Sequence, residues 1–283
     1  MTRSPPRRGE PDVPRPRKRL GQHFLSDPRI LARIVEALAP RADETVIEVG
    51  PGRGALTTLL AARCRRLIAI ELDRDLAPRL RSQFADRPHV EIVEADVLDV
   101  SLARLAGGPF SLIGHVPYYI TTPILFHALE RPRAERIVLL VQREVADRMS
   151  AKAGSDAYGA LSVNVQAVAN VEIVFGVAAG SFSPPPKVES AVVRVLPRAE
   201  PAIGPSEEAA FQKLVQAAFA QRRKQLKSIV RSITGLDTAA AISLLTKNGL
   251  LPEARPETLD VAQFVKLYTA TAEEREARKR IET

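Results

Sequence analysis

The sequence predicts an α/β fold in which a doubly wound parallel sheet is followed by a smaller all-α domain. Three observations lead there. From residue 27 to about residue 142, short continuous apolar runs alternate with segments of helical spacing, as expected of strands buried on both faces and linked by helices. A glycine-rich turn directly follows the first of these runs. Beyond Pro197 to Pro205, a stretch with three prolines that reads as a linker, the apolar pattern is helical throughout.

Taken in order, residues 1–19 hold seven Arg or Lys, two acids and almost no large apolar groups, and are expected to be a disordered basic tail. Asp27-Pro28 opens a helix with Ile30, Leu31, Ile34, Val35 and Leu38 at helical spacing. Thr45 to Val49 is a short buried strand, and Glu48-Val49-Gly50-Pro51-Gly52-Arg53-Gly54 carries it into the turn. Ala55 to Arg63 reads as the next helix, and Cys64 is expected on a helix as a packing residue. Strands follow at Leu67 to Glu71, Val90 to Val93, Phe110 to Ile113 and Arg136 to Gln142, with helices at Ala77 to Phe84 and from Ile124 to Leu129. Two later strands are expected around Val171 to Phe175 and Glu189 to Val195. Phe211 to Ile233, Thr238 to Asn248 and Val261 to Lys279 read as helices, with Gly235 and Gly249 as stops. The expected domains are therefore 20–198, doubly wound, and 199–283, helical.

Composition excludes several classes. One cysteine rules out an internal disulfide, and four scattered histidines lack metal-ligand spacing. No apolar run approaches the roughly 18 residues of a membrane span. The Arg-rich start has no apolar stretch behind it, so it is not a secretory signal, and five prolines among the first 16 residues disfavour the helix of a transit peptide. The reading is a cytoplasmic protein without metal or membrane, and nothing demands more than a monomer. The net charge is +8, of which residues 1–19 carry +5. A second basic block holds Lys213, Arg222, Arg223, Lys224, Lys227 and Arg231, with no acid among residues 209–236. A basic tail and a basic helix suit a polyanion such as RNA.

In a doubly wound fold, ligands sit beyond the carboxyl ends of the strands. Gly50, Gly52 and Gly54 let a ligand approach the backbone closely, and the helix that follows turns its free N–H groups toward it. This segment alone leaves two cofactors open. Gly50, Gly52 and Ala55 satisfy a relaxed dinucleotide fingerprint, and Glu71, about 20 residues on, suits ribose hydroxyls in either case. Asp96, after the third strand, can accept from an adenine amino group and favours a nucleoside methyl donor.

After the fourth strand comes Gly114-His115-Val116-Pro117-Tyr118. An exocyclic adenine amine is a poor nucleophile because its lone pair is delocalised into the ring. Acceptors on its two protons favour the tetrahedral geometry that attack requires. His115 and the backbone carbonyl of Val116 or Pro117 are candidates. Tyr118 would stack on the base, a contact worth roughly 1–3 kcal/mol, and Phe182 would form the opposite wall. A dehydrogenase would leave this corner and the basic helix without a task.

These residues resemble the KsgA/RsmA family of small-subunit rRNA adenine N6-dimethyltransferases, relatives of the Erm methyltransferases. The resemblance spans about residues 17–283. It rests on Leu20-Gly21-Gln22-His23-Phe24-Leu25, the 48–54 loop, Glu71-Leu72-Asp73, Glu94-Ala95-Asp96, the 114–118 corner, Gln142 to Met149, Tyr158 to Val163, the 182–193 segment and Phe219-Ala220-Gln221-Arg222-Arg223-Lys224. It implies a Rossmann-like methyltransferase domain with S-adenosyl-L-methionine contacts at His23, Leu25, Gly50, Glu71, Asp96 and His115. It further implies transfer of four methyls to two adjacent adenines in the 3′-terminal hairpin loop of 16S rRNA, within the assembling small subunit. Arg222, Arg223, Lys224 and Lys227 would help dock that RNA, and the Arg-Arg-Lys block looks more like KsgA than Erm.

One residue departs from the family pattern. Where the family carries Asn-(Leu/Ile/Val)-Pro-Tyr, this chain has His115. Neutral histidine offers one ring acceptor and histidinium none, so activity is expected to fall as pH drops through roughly 6.5. A catalytically weakened assembly factor and an Erm-like 23S rRNA methyltransferase are the alternatives.

Overall fold

The computed structural model describes residues 23–282. The basic tail, residues 1–19, and Leu20 to Gln22 lie outside them. The described residues form two compact units, 23–140 with 177–190, and 141–176 with 191–282. This division interleaves along the chain, whereas the sequence suggested a single cut after residue 198.

In the first unit, β1 (Phe24–Leu25) leads into α1 (Pro28–Leu38). Asp27 caps α1 by accepting from the Arg29 N–H at 2.8 Å, and Pro28 occupies the first turn, where no N–H is needed. Next come β2 (Thr45–Val49), α2 (Ala55–Leu60), β3 (Arg66–Glu71), α3 (Leu76–Gln83), β4 (Val90–Glu94), α4 (Leu102–Ala106), β5 (Phe110–His115), α5 (Thr121–Ala128) and β6 (Ile137–Gln142). The strands stand in the order β4-β3-β2-β5-β6 with parallel ladders. All five residues of β2 are buried, Thr45 and Glu48 among them, as in a strand covered on both faces, where apolar and exposed residues do not alternate. The chain steps from β2 outward to β4 and then returns to place β5 on the other side of β2. The switch point of the sheet is thus between β2 and β5, the crevice in which such folds hold ligands.

Two expected boundaries shift. Helix α2 stops at Leu60, so Cys64 lies beyond it, buried, with its thiol donating to the Leu60 carbonyl at 3.3 Å. Helix α5 starts at Thr121 rather than Ile124. Pro123 is tolerated because first-turn N–H groups have no intrahelical partner.

The second unit contains α6 (Arg143–Ser150), α7 (Ala160–Gln166) and β7 (Ala169–Val177). The two-residue β8 (Phe182–Ser183) belongs to the first unit, where it pairs antiparallel with β1, and β9 (Ser190–Pro197) stands beside β7. The helical remainder is α8 (Glu208–Ala220), α9 (Leu226–Thr234), α10 (Thr238–Lys247) and α11 (Val261–Glu282). The single helix expected over Phe211 to Ile233 is therefore two. The break coincides with contacts distant in the chain: the first free amides of α9, Leu226 and Lys227, donate to the carbonyls of Ala254 and Pro252 at 2.8 and 3.0 Å. Gly235 ends α9 in the left-handed conformation, as expected. Tyr158 serves this unit's core, its hydroxyl donating to the Leu259 carbonyl at 2.8 Å and its ring edge-on to Phe219. No single helix among the described residues is long and apolar enough to cross a membrane.

Candidate functional site

A cavity of about 310 Å³ opens at the switch point and is lined from the ends of β2, β3, β4 and β5, a volume suited to a small ligand. The turn after β2 forms its floor. Gly50 has φ +71°, and a Cβ there would stand 3.0 Å from the His115 carbonyl oxygen; at Gly52, φ +58°, it would stand 3.1 Å from the Phe24 ring. Only glycine permits both the turn and this closeness.

Glu71, at the end of β3, is buried and lines the cavity. Its Oε2 accepts from the Gly52 N–H and its Oε1 from the Asp73 N–H, each at 2.9 Å. Burial raises its pKa, and these backbone donors pull it back in part. A carboxylate has about four acceptor sites, so ribose hydroxyls can still be bound. Asp96 lines the same cavity and accepts the Leu98 N–H on Oδ1 at 3.0 Å, capping a short 3₁₀ turn. The cap and the cavity-facing role coexist, since its other oxygen has no such bond to the described residues. His23 and Leu25 also line the cavity.

Glu48, which in the sequence opens the 48–54 loop segment, has a further place in the structure. It is 1% exposed, lines the cavity, and neither carboxyl oxygen has a hydrogen-bond partner among the described residues. Burial pushes its pKa up to about 8; Thr57, beside it without making a full hydrogen bond, offsets part of this, and the charge of Glu71 adds to the rise. The signal in the sequence was an acid inside an otherwise apolar buried strand.

His115 is the last residue of β5. Its ring opens partly into the cavity, yet burial and, second, the nearby His23 push its pKa down to about 4. The expected titration near 6.5 is thereby corrected: the ring is neutral, with an acceptor nitrogen, across the ordinary pH range. Pro117 and Tyr118 enter a 3₁₀ turn in which the Pro117 carbonyl accepts from the Ile120 N–H at 3.1 Å. One of that carbonyl's two lone pairs is thus engaged. Tyr118 is half-buried, its hydroxyl 2.7 Å from Ser190 Oγ.

Phe182 is 4% exposed and packs against His115, a residue of the cavity wall, with ring centres 5.5 Å apart. The pairing of Leu25 with Phe182 across β1 and β8 holds it there. The ring beside Tyr118 is His23, near-parallel at 6.2 Å, and its Nδ1 donates to the Pro184 carbonyl at 2.7 Å.

In the second unit, Arg222, Arg223 and Lys224 lie exposed in the break between α8 and α9 rather than on a helix face. Arg222 donates to the Asp156 carbonyl at 3.4 Å, and Lys227 pairs with Glu253 at 3.3 Å. Lys227 is thus partly neutralised by an acid outside the acid-free 209–236 stretch.

Comparison with known proteins agrees with this geometry. Residues 14–273 match the family model described as ribosomal RNA adenine dimethylase. The ribosomal RNA small subunit methyltransferase A of Bordetella pertussis is 45% identical over 258 residues, covering 90% of this chain and 93% of that protein. Among solved structures, a dimethyladenosine transferase from Plasmodium falciparum superimposes with a TM-score of 0.75 at 25% identity, covering 89% of this chain and 98% of the other. The 23S rRNA methyltransferase ErmE superimposes with a TM-score of 0.70 at 29% identity, covering 88% and 99%.

Proposed function

Because the chain belongs to the ribosomal RNA adenine dimethylase family, we propose that it transfers methyl groups from S-adenosyl-L-methionine to N6 of two adjacent adenines in the 3′-terminal hairpin loop of 16S rRNA, in the assembling small subunit. The donor's fit rests on the glycine floor, which a Cβ at Gly50 or Gly52 would fill, and on the unpartnered carboxyl group of Glu48, which a bound cation would favour in its ionised form. Glu71 would take the ribose hydroxyls and Asp96 the adenine amino group. Glu48 would take the ammonium of the amino-acid end, and Gly50, Gly52, His23 and Leu25 would shape the walls. When bound, S-adenosylmethionine supplies an electrophilic methyl on a positively charged sulfur.

The observation that carries the reading is the corner at the end of β5, where a neutral His115 and an anchored Tyr118 share the wall of one cavity. Tyr118 stacks on the target base, offsetting the few kcal/mol of drawing it from its neighbours. The free ring nitrogen of His115 and a backbone carbonyl at Val116 or Pro117 accept from the two amine protons, holding the nitrogen lone pair toward the methyl. No strong base is needed, because the proton leaves after transfer. Phe182 supports His115 from behind. Residues 199–283, with Arg222, Arg223 and Lys224, would dock the RNA through phosphate contacts.

A neutral acceptor at 115 favours an active enzyme over a weakened assembly factor. The higher identity to the small-subunit relative favours that target over the Erm-like one. The test is transfer of labelled methyl to unmethylated small subunits, with the modified adenines mapped by mass spectrometry. Two dimethylated adjacent adenines are expected; modification of large-subunit RNA instead, or none, would overturn the proposal.

A further inference from the structure

Beside Tyr118, which the reading above employs, stands a second tyrosine without a task. Tyr119 is 65% exposed, the most exposed aromatic among the described large apolar side chains, yet it lines the same cavity. No hydrogen bond or ring contact among the described residues engages its side chain. It contributes little to the core, so folding gives no reason for a large aromatic ring there.

The backbone beneath it is well held. Residues 118–120 form one 3₁₀ turn, closed by the Ile120 N–H on the Pro117 carbonyl and continued directly by α5. With three residues per turn, successive side chains point about 120° apart. Tyr118 turns toward Ser190, and Tyr119 is therefore directed away from it, at the cavity rim. A rigid turn thus presents two aromatic rings, one at the wall of the base slot and one at its mouth.

We infer that Tyr119 is the binding subsite for the nucleobase next to the target adenine, stacking on it while the target occupies the slot beside Tyr118. Consecutive Cα atoms lie about 3.8 Å apart, so the two rings can serve consecutive nucleotides of one strand. Single-stranded RNA is gripped in this manner, by aromatic faces that hold unstacked bases. The inference rests on the proposed RNA adenine substrate. When the first adenine is modified, its neighbour would lie on Tyr119, already out of the helical stack and close to the slot it enters next.

The experiment compares wild type, Tyr119→Phe and Tyr119→Ala on unmethylated small subunits, with S-adenosylmethionine affinity and melting temperature as controls. Wild-type activity alone tests the substrate reading. If it holds, Tyr119→Ala should raise KM for the subunit roughly 5-fold to 100-fold, the worth of one stacked base, with kcat within about two-fold. Cofactor affinity and melting temperature should not move, and Tyr119→Phe should behave as wild type. Products of the alanine variant should shift toward subunits carrying one modified adenine. An active wild type with an unchanged KM in Tyr119→Ala would overturn the inference, as would a loss confined to kcat or to cofactor binding.

Discussion

The neutral state of His115 has a measurable consequence for stability. Burial, and secondarily His23, moves the ring from an ordinary value near 6.5 to about 4. Between those values the unfolded chain binds a proton that the folded chain does not. Stability from this group is therefore complete above about 6.5 and declines as pH falls toward about 4. Each pH unit within the window corresponds to about 1.4 kcal/mol, and integrating from pH 7 to pH 5 gives a loss of about 2 kcal/mol from this one ring. Asparagine does not titrate, so His115→Asn escapes the loss, while every other group titrates in both proteins. Urea unfolding of both at pH 7 and pH 5 should show wild type losing about 2 kcal/mol more. Equal losses would mean that His115 titrates as an exposed histidine does, and the argument for a pH-independent acceptor would fail. The single-turnover methylation rate should likewise stay level from pH 8 to pH 5; a decline centred near pH 6.5 would refute the same reasoning.

Ser190→Ala removes the 2.7 Å hydrogen bond that fixes the Tyr118 ring. A net cost of about 1 kcal/mol should appear as a roughly five-fold loss in kcat/KM for RNA, with calorimetric affinity for S-adenosylmethionine unchanged. Glu48→Gln should weaken that affinity about ten-fold or more, the scale of a hydrogen bond to a charged group; equal affinities would remove Glu48 from the cofactor site. Because the folded pKa of Glu48 lies above its ordinary value, its ionisation opposes folding as pH rises through about 8. The empty glutamine variant should therefore lose less stability than wild type between pH 7 and pH 9. Replacing Arg222, Arg223 and Lys224 together by alanine should weaken subunit binding and lower the slope of log affinity against log salt by about 2 to 3. The rate at saturating subunit should be retained.

The doubly wound architecture was legible because its signals are local. A five-residue run such as Thr45 to Val49, whose Val46, Ile47 and Val49 do not alternate with exposed polar residues, fits a strand covered on both faces, and the structure buries all five, Glu48 included. Glu71 was legible for the same reason, as a polar residue at the end of a buried run, whereas Asp96 was marked only by its place after the third strand, which is partly exposed. What escaped depends on residues distant in the chain. The helical spacing of Phe211 to Ile233 continues through the break at 221–225, and the break coincides with bonds to carbonyls near residue 253. The freedom of Lys227 could not be judged without Glu253. That position 115 is unusual was visible at once, but its titration is a property of the surrounding fold.

The position of Phe182 shows how the 182–190 segment works. Three of its groups meet three different members of the site: Phe182 packs on His115, the Pro184 carbonyl takes the His23 Nδ1 proton, and Ser190 meets the Tyr118 hydroxyl. Each contacts one ring of the proposed site. An acceptor that must point at one amine proton gains more from a fixed orientation than from extra contact area, because misplacing it by an ångström costs more than a methylene of burial returns. An aromatic residue at the site's edge, read from sequence, invites assignment as a wall of the base slot. In this fold Phe182 packs against the ring of His115, and under the proposed mechanism that contact would help hold the acceptor nitrogen in one orientation.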